Sequence, residues 1–193
     1  HLLYIAHALE EGHVPETLAY IEELRGKINQ IQNYVHTEND FLNFVLNTRL
    51  SLAAEQEIPV KIQIEDTDFA FMEPMDFHSL LGNILDNAME ASAKLPVSWR
   101  DVGLELSTKR GYHRILVRNH IQDSVLAENP HMSTSKEDVM NHGIGVTVIR
   151  KIVERYKGHV DFYEKDGYFC VQVLLPNCRE SEAPNQNETE ADR

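Results

Sequence analysis

Phe77 to Ser92 reads FHSLLGNILDNAMEAS. On a helix of about 3.6 residues per turn, Phe77, Leu80, Leu81, Ile84, Leu85 and Ala88 gather on one side, at the i, i+3, i+4, i+7 spacing of a core-facing stripe. Ser79, Asn83, Asp86, Asn87 and Glu90 fall together on the opposite side. That polar stripe is unusual in kind. The short Asn amide competes for backbone hydrogen bonds and makes a mediocre helix former, so an ordinary solvated face uses Lys, Glu, Gln or Arg instead. Two asparagines one turn apart, beside two carboxylates, point to a helix whose polar face meets a ligand. A solvated face carrying two unremarkable asparagines is the plainer alternative.

This helix belongs to a chain of 193 residues, enough for one ordinary domain with a real core and an appendage. No apolar run approaches the length of a membrane span, and no signal peptide is present. The chain opens on His1 rather than Met, as expected of a fragment. A net charge of −13 argues against nucleic acid as a primary partner, because phosphate backbones need a basic footprint. It leaves ATP open, which needs only a local site. Cys170 and Cys178 fit no metal spacing and read as unpaired thiols in a reducing cytoplasm.

Before the central helix, residues 1–12 (HLLYIAHALEEG) carry a helical apolar stripe through Leu2, Ile5 and Leu9 that ends at Gly12. Pro15 suits a first helical turn, and Leu18, Ile21, Leu24, Ile28, Ile31 and Tyr34 step by three or four along a second, longer helix to about His36. These two helices make an antiparallel hairpin that cannot bury its own stripes. A four-helix bundle with a second copy is one expectation, and packing within the chain is the other. Asn39 or Asp40 reads as the N-cap of a further helix over Phe41 to Gln56.

The period then changes. Val60, Ile62 and Ile64 alternate with Lys61, Gln63 and Glu65, the mark of a half-buried strand. Pro74 to Asp76 opens the asparagine-bearing helix. After Pro96 comes a hairpin, Val102 to Thr108 and His113 to Asn119, turning at Arg110-Gly111 with Leu104, Leu106, Ile115 and Val117 inward. Residues 120–142 hold no sustained period and read as a lid or a disordered loop. Gly143 to Tyr156 returns to helix, with Val146, Ile149, Ile152, Val153 and Tyr156 on one face and Gly158 as a C-terminal stop. Strands over Val160 to Glu164 and Tyr168 to Leu175 flank the turn Lys165-Asp166-Gly167. The polar, acidic tail from Pro176 onward has little to bury and is expected to be disordered. The order predicts an α+β two-layer sandwich, a mixed sheet of about five strands with three helices on one face, preceded by the helical hairpin. The expected domains are 1–37 for the hairpin, 38–176 for the sandwich and 177–193 for the tail.

Two further features carry chemistry. Asn141-His142-Gly143-Ile144-Gly145 opens a helix, where glycines let backbone approach a ligand and free N–H groups with the positive dipole end suit phosphate. A loop-to-helix turn would have the same glycines. The preceding segment bears Ser133, Thr134, Ser135 and Lys136, hydroxyls and an ammonium able to close over phosphates. Asn119 ends the apolar strand of RILVRN, where its amide can read a base edge or simply form a turn.

GNILDNAMEAS, HGIG with the helix ending IVERYKG, and STSK upstream of it resemble, in this order, the asparagine box, second glycine box and ATP-lid motif of the GHKL-type ATP-binding domain. That domain is shared by sensor histidine kinases, gyrase and MutL. The resemblance runs from about Asn39 to Leu175 and is closest to quorum-sensing receptor kinases of the accessory-gene-regulator class. The leading hairpin resembles that family's dimerisation helices. The resemblance implies a cytoplasmic catalytic fragment of a membrane-anchored bacterial sensor histidine kinase. It would be a homodimer that binds ATP and Mg²⁺ and passes phosphate to a His, then to a response regulator. The phosphoacceptor His is expected upstream of His1, so no catalytic residue is assigned here; His7 and His13 are not followed by an acid.

The resemblance places Mg²⁺ on Asn87, with Asn83 beside it on the metal side. Asn83 stands where gyrase-type hydrolases carry the Glu that activates water, and an amide cannot take a proton, which favours kinase over hydrolase. Asn83, Asn87, Glu90, Asn119, Ser135, Lys136, His142, Gly143, Ile144 and Gly145 are the expected nucleotide-binding set. One departure stands out: the family's D-x-G-x-G box is replaced by Val117-Arg118-Asn119-His120-Ile121, with Asn in the Asp place and no glycines. Two other readings remain, a protein-serine kinase of the anti-sigma type and a dimerisation or regulator-binding module without ATP binding.

Overall fold

The computed structural model describes residues 5, 7, 8, 10–20, 34–65, 67, 69–129 and 143–177. By its backbone contacts the chain divides into two units, His1–Ser51 and Leu52–Arg193. In the first, residues 14–20 are helical, and Pro15 lies in the first turn as its fixed φ allows. Thr17 is fully buried, its hydroxyl donating to the His13 carbonyl at 2.6 Å. Helix α1 (Asp40–Glu55) starts where the sequence places a cap: Asn39 Oδ1 accepts from the Leu42 N–H at 2.9 Å.

The second unit is built on a five-stranded mixed sheet in the order β1-β2-β3-β5-β4, with β1 Val60–Ile64, β2 Val102–Lys109, β3 Tyr112–His120, β4 His159–Lys165 and β5 Tyr168–Pro176. Helix α2 (Pro74–Ala93) carries the crossover between parallel neighbours β1 and β2, and all other pairings are antiparallel. Both hairpins turn on two residues with positive φ, Arg110 (52°) with Gly111 (75°) and Asp166 (52°) with Gly167 (80°). This mirror-image turn matches the right-handed strand twist and fixes the registers Lys109↔Tyr112 and Lys165↔Tyr168.

Periodicity and burial agree. In β2 and β3, Leu104, Leu106, Ile115 and Val117 point inward and are at most 1 % exposed. Helix α2 lies on β2 and β3, and helix α4 (Gly143–Arg155) lies against α2 and on β4. The fully buried Leu80, Leu81, Ile84 and Ile149 join the two layers, and truncating any one to alanine costs about 2–5 kcal/mol. This is the α+β, mixed five-stranded architecture expected. Helix α1, expected as its third helix, runs across the boundary between the units. Arg100 satisfies helix ends from one position: Nη2 donates to the Ala93 carbonyl at the end of α2, and Nη1 to the Gln56 carbonyl just past α1.

Three readings are corrected. The second helix does not reach His36: residues 34–37 are not helical, and the backbone groups of Val35 and Thr37 bond to the amides of Asn47 and Asn43 instead. The stop of α4 is Lys157, not Gly158: Lys157 takes the left-handed conformation (φ 53°), and Lys157 and Gly158 donate to the Glu154 and Val153 carbonyls. Gly158 is demanded by close approach instead, since a Cβ there would lie 2.6 Å from the Leu174 carbonyl oxygen. The stretch from 120 is also not structureless at its start. A one-turn helix, α3 (Val125–Glu128), is capped by Ser124 and tied to β4, whose Glu164 accepts from the Leu126 N–H and the Ser124 hydroxyl, both at 2.8 Å. These bonds hold the Glu164 carboxyl below its usual range, the Leu126 N–H foremost. The STSK segment and the acidic tail from 178 lie outside the described residues.

Candidate functional site

The polar stripe of α2 and the glycine-rich start of α4 meet. A Cβ placed on Gly145 would stand 3.1 Å from Asn83 Oδ1 and 3.3 Å from both Nδ2 and Oδ1 of Asn87. The three atoms nearest that position all belong to the two asparagines. Contacts at 3.0–3.4 Å are tighter than side chains ordinarily make, so only glycine leaves both amides undisturbed at this crossing.

The two amides differ in their bonding. Asn83 donates Nδ2 to the Ser79 carbonyl at 2.6 Å, which turns its Oδ1 toward Gly145. Among the described residues, no hydrogen bond engages the Asn87 amide, although its side chain is half-buried. A half-buried amide without a protein partner is a group with bonding capacity to spare. Among the described residues, no group of three His, Cys, Asp or Glu side chains could hold a metal on its own. A cation at Asn87 would therefore complete its oxygen shell from a ligand's phosphates and from water, the manner in which Mg²⁺ is commonly held.

The other expected residues divide. Glu90 is exposed on the same helix and is not among the atoms closing on Gly145. Asn119 is the penultimate residue of β3, 4 % exposed, between Val102 of β2 and Phe169 of β5. Its Nδ2 donates to the His120 carbonyl at 3.1 Å, so part of its bonding capacity is spent at its own strand end. Gly143 and Ile144 form the first turn of α4. Ser135, Lys136 and His142 lie outside the described residues.

Sequence reasoning missed a second junction between the same two helices. Arg155 Nη1, at the end of α4, donates to both carboxylate oxygens of Asp76 in the first turn of α2, at 2.7 and 2.6 Å. The Tyr156 hydroxyl donates to Asp76 Oδ2 and accepts from the Glu73 N–H, both at 2.9 Å. Hydrogen bonding from Arg155 holds the Asp76 carboxyl below the usual carboxylate range, whereas burial pushes the Tyr156 hydroxyl upward. The readable signals were an acid in a helix's first turn and a base in another's last turn, both favoured by helix dipoles; their pairing across the chain was not readable.

The sensor histidine kinase NatK of Bacillus subtilis is 25% identical over 166 residues, covering 83% of this chain and 52% of that protein. The sensor protein DltS of Streptococcus agalactiae is 25% identical over 166 residues, covering 82% of this chain and 40% of that protein. The chain thus spans about half the length, or less, of these curated relatives. Among solved structures, a nucleotide-free catalytic domain of the histidine kinase ThkA superposes with a TM-score of 0.57 at 14% identity, over 72% of this chain and 91% of that one. The Acinetobacter baumannii histidine kinase AdeS superposes with a TM-score of 0.54 at 12% identity, over 86% of this chain and 81% of that one. At such identities the likeness is one of fold. The GHKL domain family matches residues 72–176, the stretch that runs from just before α2 to the end of β5 and contains Asn83, Asn87 and Gly145, and the chain belongs to that family.

Proposed function

We propose that this chain is the ATP-binding catalytic part of a sensor histidine kinase, with residues 1–37 as its dimerisation hairpin, 38–176 as the catalytic domain and 177–193 as a tail. It binds MgATP, transfers the γ-phosphate to a His on the dimerisation helices and passes it to an Asp of a response regulator. The observation that carries the reading is the approach of Gly145 to Asn83 and Asn87. It puts a helix N-terminus, with its positive dipole end, beside an amide oxygen that has no other partner among the described residues. Asn87 supplies that oxygen to Mg²⁺, and the cation when bound neutralises phosphate charge. Asn83 offers no base to activate water, which favours phosphate transfer over hydrolysis. Asn119 reads the base edge with the amide oxygen left over from its bond to His120. Ser135, Lys136 and His142 complete the phosphate end, with Glu90 at its rim. The quorum-sensing receptor class and a cytoplasmic location beneath a membrane anchor belong to the same proposal; among the described residues no helix is long and apolar enough to cross a membrane.

The test is calorimetric titration of a non-hydrolysable ATP analogue with and without Mg²⁺, on the wild-type chain and on Asn87→Ala. Magnesium-dependent binding that is lost in Asn87→Ala is the expected result. A wild-type chain that binds no nucleotide under either condition would overturn the proposal and leave a dimerisation or regulator-binding module.

A further inference from the structure

Helices α2 and α4 touch at two places far apart along their axes. Asn83 and Asn87, in the middle of α2, face Gly145 at the start of α4, while Asp76, at the start of α2, holds Arg155 and Tyr156 at the end of α4. The helices are therefore antiparallel. From Asp76 to Asn87 is eleven residues and from Gly145 to Arg155 is ten, about 16 and 15 Å of helix at 1.5 Å per residue. The two junctions are matched in length.

They differ in what they specify. Between them α4 presents Val146, Ile149, Ile152 and Val153 to the core, all at most 9 % exposed. Apolar burial holds a helix down but is non-directional, so it weakly resists sliding along the axis. Hydrogen bonds are directional and fail within a few tenths of an ångström. The junction at Asp76 uses its carboxylate fully: Arg155 reaches both oxygens and Tyr156 takes one of them. Tyr156 also accepts from the Glu73 backbone, so the end of α4 is tied to the chain at the α2 N-terminus as well as to a side chain. The Phe71 and Tyr156 rings also meet edge-to-face, 6.1 Å between centroids at 81°, which packs the phenol against the segment ahead of α2.

We infer that Asp76, Arg155 and Tyr156 are positioning residues that set the axial register of α4 against α2, and so present Gly145 to Asn83 and Asn87. This rests on the reading of that crossing as the nucleotide site. The three touch no ligand themselves. Their effect is on how well the phosphate end is formed, because a shift of about 1 Å at a binding or reacting group costs far more than the contact that set it.

The experiment measures magnesium-dependent affinity for the ATP analogue and thermal unfolding, side by side, on the full chain. The variants are Asp76→Asn, Tyr156→Phe, Arg155→Gln and Arg155→Lys, with Val173→Ala as a control in the core of β5 away from both junctions. Affinity is expected to fall roughly tenfold or more in the first three. Arg155→Lys should restore it, because one nitrogen reaches both carboxylate oxygens and an ammonium can do the same. Val173→Ala should lower the unfolding temperature at least as much yet leave affinity unchanged. Wild-type affinity in the first three variants, or an equal loss in Val173→Ala, would overturn the inference while leaving the nucleotide site standing. A wild-type chain that binds no nucleotide would instead remove the site itself, and the inference with it.

Discussion

Gly145 faces Asn87 across the α2–α4 crossing, so closely that a Cβ on the glycine would lie 3.3 Å from both the nitrogen and the oxygen of the amide. Stability and binding should respond oppositely to that Cβ. Gly145→Ala removes the helix penalty of glycine, up to about 1 kcal/mol, while pressing a methyl group against two flexible amide tips. The unfolding temperature is expected to hold or rise, and magnesium-dependent nucleotide affinity to fall about tenfold, or about 1.4 kcal/mol. Calorimetry beside thermal unfolding checks both; unchanged affinity would mean the amides can move aside without loss.

Gly158 and its neighbour make a paired test of the correction at the end of α4. Gly158→Ala drives a methyl into the Leu174 carbonyl oxygen and a Leu175 methyl, each 2.6 Å away, and backbone cannot step aside as a side-chain tip can. It should destabilise by about 1–3 kcal/mol. Lys157→Gly places the residue suited to φ 53° where that angle occurs and should be neutral or stabilising by up to about 1 kcal/mol. Chemical denaturation of both variants decides whether the conformational requirement sits at 157 or 158.

The Asp76 carboxyl gives acid sensitivity of a definite sign. Its folded-state pKa is depressed, with the hydrogen bond from Arg155 as the main cause. Its stabilising contribution is therefore complete above the unfolded value of about 3.9 and lost as pH falls through the lower folded value. Wild-type stability should drop more steeply below about pH 4 than that of Asp76→Asn, which has no proton to gain there. Parallel acid limbs in urea unfolding would show that the pair contributes nothing to the folded state.

Glu164 is the anchor of the segment that leads toward the STSK motif. Its carboxylate takes the Leu126 N–H and the Ser124 hydroxyl, and Ser124 in turn caps α3. Glu164→Gln keeps an acceptor but loses the charge, so hydrogen exchange at the Leu126 and Ala127 amides should quicken by about tenfold while exchange in β3 and β5 is unchanged. Exchange that stays slow at Leu126 would assign the segment's order to its own cap alone.

The sequence by itself determined the strands, both hairpins, the α2 helix and its two faces, because each follows from a local period of burial or from turn residues whose dihedral angles are set by steric limits. The alternation of Val60, Ile62 and Ile64 and the two-residue turns at Gly111 and Gly167 are the same in the sequence and in the fold. It could not decide what a pair of asparagines one turn apart is for, and such a pair lies within each of α1 and α2. In α1, Asn47 exchanges both amide groups with the backbone of Val35, and Asn43 accepts from and donates to the backbone of Thr37. Those amides are engaged in holding the backbone of residues 35–37, as a strand neighbour would. In α2 the second asparagine has no such partner among the described residues and looks onto Gly145. Nothing local separates the two pairs, since both sit at i, i+4 on amphipathic helices. The difference lies in what tertiary packing brings opposite them, a piece of their own backbone in one case and the bare start of another helix in the other. The same reason hid Asp76 and Arg155, each readable as a helix-end charge and joined only when the core set α2 and α4 side by side.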